Sequence, residues 1–185
     1  MFLLQCRLLH TLIFDDPECR PFYYEKGKSF KDYHKEGEIF WHKYVTYTEG
    51  MSDYWDYSFF NVSVIRYADV LLLYAECLND RGETTEAINI INKVRARVSV
   101  PALPLTMSKA EVLRHLQEKE RPCELALEGS RWYDLIRWGI VEETLKAHNK
   151  PFVENYVDTK HQLLPIPHSE FLLNPDWEQN PNYSK

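Results

Sequence analysis

Glu120, Glu124 and Glu128 recur at i, i+4 intervals, so a continuous helix would carry all three on one face. Paired carboxylates are what glycoside hydrolysis needs, one to protonate the leaving oxygen and one to act as base or nucleophile. That chemistry sets the two acids on opposite sides of a sugar, roughly 5–9 Å apart across a cleft. Neighbours on one helix face straddle nothing. Arg114, Arg121, Arg131 and Arg137 stand close by in sequence, and the row reads as an arginine–glutamate network that pins a third helix to a fourth. No catalytic residue is assigned, and the chain is expected not to be an enzyme.

Aromatic residues are the second source of chemistry. They make up 14% of the chain, with 5 Trp and 12 Tyr. In the run Arg131–Gly139, Trp132, Tyr133 and Trp138 surround Asp134 and Arg137. Helical period groups Trp132 with Leu135 and Ile136, so these rings read as core packing, with Asp134 capping or pairing with an arginine. The better ligand candidates precede Asn61. Trp41, Tyr44, Tyr54, Trp55 and Tyr57, with Tyr47 among them, lie in glycine-bounded sequence that is expected to be mostly irregular, with a short extended segment at Ile39–Tyr47. Apolar CH faces of sugars stack on such rings, and Asp53, Asp56 and Asn61 would bond hydroxyls. The plainer alternative is that these rings cover the helices behind them.

Other chemistries find little support. Formal net charge is −6, which argues against nucleic acid and anionic lipid headgroups as partners. His161 and His168 flank Leu163–Pro167 without a third ligand at useful spacing, and Asp176 with Glu178 lacks the alternating oxygen ligands of a calcium loop. There is no GxGxxG, P-loop or GxSxG, so neither metal nor cofactor is expected. Cys6, Cys19, Cys77 and Cys123 form no CxxC pair, and Cys77 and Cys123 sit in helical apolar patterns that predict buried free thiols.

The elements that must position these groups divide near Asn61. Residues 1–60 form an aromatic-rich, mostly irregular segment, and residues 61–185 a helical region with a wrapping tail. The opening MFLLQCRLLHTLIF is apolar but lacks a basic start and a small-residue cleavage site, so it is expected to be a core segment of something larger. Ile65–Asp80 is apolar on nearly every face, predicting a central helix buried on several sides and stopped by Asn79 and Gly82. A second helix runs from about Thr85 to Val98, capped by Thr84 or Thr85. Ser108 and Glu111 form a capping box for a third, and Trp132, Leu135 and Ile136 mark a fourth, ending near Gly139 with an extension over Ile140–His148. From Lys150 onward, five prolines predict an extended tail. Leu71, Tyr74, Ala75 and Leu78, followed by Ala87, Ile91 and Val94, match tetratricopeptide spacing. Ala75 and Ala87 fall where two helices must approach closely. The fold class is thus mainly α, a tetratricopeptide-like hairpin plus further helices. One such unit cannot bury its own faces and needs partner helices.

Four blocks carry a family resemblance: RYADVLLLYAECLNDRG, VRARVSVP, ERPCELALEGSRWYDLIRWG and LLPIPHSEFLLNPDWEQNPNY. Their order and spacing resemble the C-terminal part of the SusD/RagB family, over roughly residues 38–185, with IFWHKYV a weaker fit upstream. Three positions depart from the pattern. Pro122 stands where arginine is usual and predicts a break or kink near Glu120, with Pro122 in the first turn of a new helix. Ser99 replaces a glycine after the second helix, and Asn182 replaces one in the final turn. The resemblance implies a surface lipoprotein of a Gram-negative outer membrane. Such a protein would bind oligo- or polysaccharide without cleaving it and deliver it to a SusC-like TonB-dependent transporter. Membrane attachment would come only through a lipid anchor not present in this chain. The alternatives are a helical-repeat scaffold for a protein partner and a hydrolase fragment.

Overall fold

The computed structural model describes residues 11–15, 30–32, 34–41, 43 and 63–184. It is mainly helical, and the chain divides into two compact units, Met1–Arg131 and Trp132–Lys185.

In the first unit, two short strands, β1 (Leu12–Ile13) and β2 (Phe40–Trp41), pair antiparallel with Leu12 opposite Trp41. β2 lies within the expected extended segment. The helical part begins with α1 (Tyr67–Asp80) and α2 (Thr84–Ala96). They pack along their lengths around Leu72, Ala75, Leu78, Ala87, Ile88, Ile91 and Val94, joined by Val112 and Leu116 of the next element. Ala75 and Ala87 are both fully buried, as small residues at a close helix approach should be. Asn79, also buried, donates from Nδ2 to the Lys109 carbonyl and ties the hairpin to the third helix. α1 is not enclosed on several sides, however. Among the described residues its outer face, with Tyr67, Val70, Leu73 and Tyr74, is exposed. Cys77 and Cys123 are likewise exposed rather than buried. The buried residues of α1 are Leu72, Ala75, Leu78 and Asn79, and Cys77 falls outside that stripe.

The turns follow from the residues that end each helix. After α1, Gly82 adopts φ 88, its N–H bonds Asn79 O, and the Glu83 N–H bonds Leu78 O. This paired 5→2 and 6→1 closure is a Schellman motif. Ser99 (φ 54) closes α2 in the same way, the N–H groups of Ser99 and Val100 reaching Ala96 O and Arg95 O. Neither Thr84 nor Thr85 caps α2. Thr84 is its first residue and Glu83 occupies the cap without a side-chain bond. The Ser108–Glu111 capping box does form and opens α3 (Lys109–His115).

Pro122 falls in the first turn of a new helix, as expected, and the change near Glu120 is a widening of the helix where an open break was the alternative. α3 runs into a π-helical turn, Leu116–Glu120, and then α4 (Arg121–Glu124), with the Arg121 N–H bonded to Leu116 O. Glu120 and Arg121 keep right-handed helical angles. Widening the turn by one residue accommodates a ring that would clash with a preceding carbonyl and a residue that has no N–H to donate.

The second unit takes up α5 (Ser130–Trp138) from Trp132 onward, and with α6 (Val141–Ala147) it buries Leu135, Val141 and Leu145 against Trp132, Ile136, Ile140, Val153 and Tyr156. Gly139 (φ 68) and Asn149 (φ 50) repeat the Schellman closure at their ends. The proline-rich tail is not extended throughout. It contains a 3-10 turn at Pro151–Asn155 and two short helices, α7 (Asp158–His161) and α8 (His168–Leu173). The prolines fall at helix starts and between helices, where they remove no needed donor. Asn182 adopts the left-handed φ of 66 expected of it.

Candidate functional site

The three glutamates do not share one face. Glu120 ends the π turn and Glu124 ends α4, whereas Glu128 lies beyond both, in a turn where Leu127 and Gly129 take φ of 64 and 76. Each is nonetheless buried against cations. Glu120 Oε2 accepts from Arg95 Nη1 at 2.5 Å and lies 2.9 Å from His115 Nε2. Glu124 Oε1 accepts from Arg66 Nη1 at 3.0 Å and Arg97 Nη2 at 2.8 Å. Glu128 takes Arg66 Nε on Oε2 at 2.7 Å and Lys43 Nζ on Oε1.

An arginine–glutamate network is therefore present, and it includes arginines far from the glutamates in sequence. Arg66, Arg95 and Arg97 come from the start of α1 and the end of α2, so the network joins α4 and its following turn to the hairpin. Of the four arginines near in sequence, Arg121 is buried and pairs with Asp69 at 2.8 Å. Arg131 donates to the Gln117 carbonyl at 2.8 Å, Arg137 bonds Asp134 at 3.0 Å, and Arg114 is exposed. The expected pairing of Asp134 with an arginine is thus present. Breaking a pair buried on both sides, such as Arg95–Glu120, costs about 3–5 kcal/mol, because one charge is left stranded.

The electrostatics follow from this packing. Burial by itself would raise the Glu128 carboxyl, but hydrogen bonds and charge from Arg66 and Lys43 outweigh it and hold the pKa below the ordinary glutamate value. Burial likewise opposes the charge on Arg66, and Glu128 with Glu124 reverse the balance and raise its pKa. The cluster is a set of ion pairs held on one side of the hairpin.

Of the candidate ligand-binding rings, Trp41 is described. It sits on β2 and is 54% exposed, beside exposed Ile39 and Phe40. Tyr44, Tyr47, Tyr54, Trp55 and Tyr57 lie outside the described residues, as do Asp53, Asp56 and Asn61. In the second unit, Trp132 packs in the core cluster and meets Tyr156 edge-on at 6.2 Å, as its helical spacing predicts, while Tyr133 is exposed. His161 accepts from the Val157 N–H on Nδ1 at 2.8 Å, a local capping role. Among the described residues no group of three His, Cys, Asp or Glu side chains is arranged to hold a metal ion.

Lys43 and Arg66 were the cluster residues hardest to find from sequence. Their partner lies 62 or more positions away, and the clue available was that Arg66 opens the RYADVLLL block and Glu128 stands next to last in ELALEG.

Comparison with known proteins gives a consistent result. The sequence profile of the SusD family matches residues 22–183. SusD-like protein P38 of Formosa agariphila is 34% identical over 130 residues, 66% of this chain and 25% of that protein. SusD-like protein P2 of the same organism is 33% identical over 131 residues. The crystal structure of a SusD superfamily protein from Bacteroides vulgatus superposes with a TM-score of 0.75 at 27% identity, covering 96% of this chain and 39% of that one. A SusD homologue from Bacteroides thetaiotaomicron gives 0.52 at 35% identity, over 64% of this chain and 26% of its own. The chain thus spans about a quarter of the length of the curated relatives it matches.

Proposed function

The chain belongs to the SusD family, and on that premise we propose that it serves in non-catalytic binding of glycan, oligo- or polysaccharide, at the cell surface. The protein of which it forms the whole or a part delivers that glycan to a SusC-like TonB-dependent transporter. The observation that carries the reading is the family match across residues 22–183. The geometry supports the non-catalytic part, since Glu120, Glu124 and Glu128 are each neutralised by arginine or lysine on one side of the hairpin. An acid that must give or take a proton at a substrate needs a poised pKa and a cleft, and hydrogen bonds from Arg66 and Lys43 lower the Glu128 pKa instead.

Glycan contact is assigned to Trp41, Tyr44, Tyr54, Trp55 and Tyr57. The exposure of Trp41 supports this, because a sugar face needs an uncovered ring to stack on. The surroundings are the outer face of the outer membrane, reached through a lipid anchor. No helix among the described residues is long and apolar enough to cross a membrane. A glycan array probed with the purified chain tests the reading. Binding to a defined polysaccharide class, weakened about tenfold or more by Trp41→Ala, is the expected result. Absence of binding to every glycan would sink it.

A second reading rests on the exposed outer face of α1, where Tyr67, Val70, Leu73 and Tyr74 present apolar surface. A helical-repeat scaffold would use such a face for a protein partner. Capture of a transporter from outer membranes by a chain that binds no sugar would favour it.

A further inference from the structure

Glu128 receives one cation on each of its two oxygens, and those cations flank the same stretch of sequence. Lys43 donates to Oε1 and also to the Ala126 carbonyl at 2.9 Å. Arg66 donates from Nε to Oε2 at 2.7 Å, while its Nη1 and Nη2 reach the Glu124 carboxylate and carbonyl at 3.0 and 2.9 Å. Between Lys43 and Arg66 in the sequence stand Tyr44, Tyr47, Tyr54, Trp55 and Tyr57. Lys43 stands two residues after Trp41, the last residue of β2, and its backbone N–H meets the Thr11 carbonyl at 3.5 Å next to β1, so the strand pair that carries Trp41 is tied to the same carboxylate.

The turn that holds Glu128 is built for this reach. Left-handed Leu127 and Gly129 take the chain out of the helix, and the glutamate side chain is 7% exposed with both oxygens directed at the flanking cations. A carboxylate so buried needs full pairing, and neither cation alone supplies it. The arrangement brings to one carboxylate two cations that stand 23 positions apart in the sequence.

We propose that Glu128 is a positioning residue, a two-ended clasp that holds both flanks of the 43–66 stretch on the helical core and, through Lys43, sets the strand bearing Trp41. Its consequence for ligand contact rests on the glycan reading above, but the clasp stands on its own geometry. Glu124 and Arg97 extend it to the end of α2, so the hairpin serves as the rigid base.

The test is limited proteolysis of the full 185-residue chain, with cleavage sites located by mass spectrometry. Glu128→Gln keeps the shape but loses the charge, and Lys43→Met releases one flank while leaving the Arg66–Glu124 pair intact. Both are expected to speed cleavage between residues 43 and 66 about tenfold, the loss of one charge-assisted hydrogen bond. Cleavage elsewhere stays unchanged, and Lys43→Arg restores protection. An unchanged rate in Lys43→Met, or a rise spread evenly over the whole chain, overturns the clasp. On a glycan that the wild type binds, Lys43→Met is expected to raise Kd about tenfold without changing the number of sites. If the wild type binds no glycan but the cleavage result holds, the functional reading falls and the clasp remains.

Discussion

Gln179 grips Ile166 by both ends of its side-chain amide: Oε1 accepts from the Ile166 N–H at 2.8 Å and Nε2 donates to the Ile166 carbonyl at 2.9 Å. The glutamine stands in for a strand partner that the LLPIP loop lacks. Asn180 adds a bond to the Leu164 carbonyl at 2.6 Å and Tyr183 one to Leu163 at 3.1 Å, so the last block of the chain reads the backbone of the loop rather than its side chains. Prolines 165 and 167 have no N–H of their own, which leaves Ile166 as the loop's central donor.

Gln179→Ala is therefore expected to destabilise the second unit by about 3 kcal/mol, the two bonds to Ile166 and a third that Oε1 accepts from the Asn180 N–H, all between neutral groups. Hydrogen exchange at the Ile166 amide should accelerate to match. Gln179→Glu retains the acceptor but sets a carboxylate against the Ile166 carbonyl, and should be at least as damaging. An Ile166 amide that exchanges at the same rate in all three proteins would count against this account.

Ser99 occupies a glycine's place. It closes α2 with the same pair of bonds that Gly82 makes after α1, at φ 54, where a Cβ costs about 1 kcal/mol. Ser99→Gly is expected to stabilise the first unit by about 1 kcal/mol, read as a higher denaturant midpoint with the slope unchanged. The converse change, Gly82→Ala, should cost about as much. No atom lies within 4 Å of a Cβ built there, so its cost is conformational and not steric.

Local chemistry was legible in the sequence and long-range pairing was not. The capping box at Ser108, the left-handed turn at Asn182 and the twelve-residue spacing of Ala75 and Ala87 are each set by neighbours a few residues away. Arg66, Arg97 and Lys43 reach Glu124 and Glu128 through the packing of α4 and its following turn on the first unit, at separations in sequence that the local row of arginines does not report. The π turn escaped for another reason. Proline's penalty is known, but a helix has two answers to it, breaking or widening, and the choice depends on burying Leu116 and Glu120 together, both nearly inaccessible. The outer face of α1 reads as core because apolar pattern reports what a helix is made to bury, not which partner is at hand.

The clasp carries a pH signature. Glu128 in the folded chain titrates below its unfolded value, so as pH falls the unfolded chain takes up the proton first. Stability contributed by this group is present above the ordinary glutamate pKa of 4.5 and is lost as pH drops through the lower folded value. Glu128→Gln should be less stable than the wild type at pH 7, and the gap should narrow on acidification from about pH 5 downward. Paired denaturant melts at pH 7 and pH 3.5 measure it. A gap of equal size at both would show that the carboxylate's charge is not what Arg66 and Lys43 use.

Tyr156 gives the opposite sign at the other end of the scale. Burial first, then its hydrogen bond to Asp158 at 2.7 Å, push the phenol from 10.0 up to about 12. The folded chain thus keeps a proton that the unfolded chain gives up, so this contribution is complete below pH 10 and disappears as pH rises through 12. A spectrophotometric titration of the phenolate band should show one tyrosine ionising near 12, and Tyr156→Phe should remove that late step while leaving the earlier ones in place. The same substitution frees Asp158, whose carboxyl is held below its usual range chiefly by the Tyr156 hydroxyl and next by Gln162, so the Asp158 pKa should rise. Seeing both changes together ties them to the one hydrogen bond. Loss of the late phenolate step with no movement of Asp158 would place the cause in burial alone.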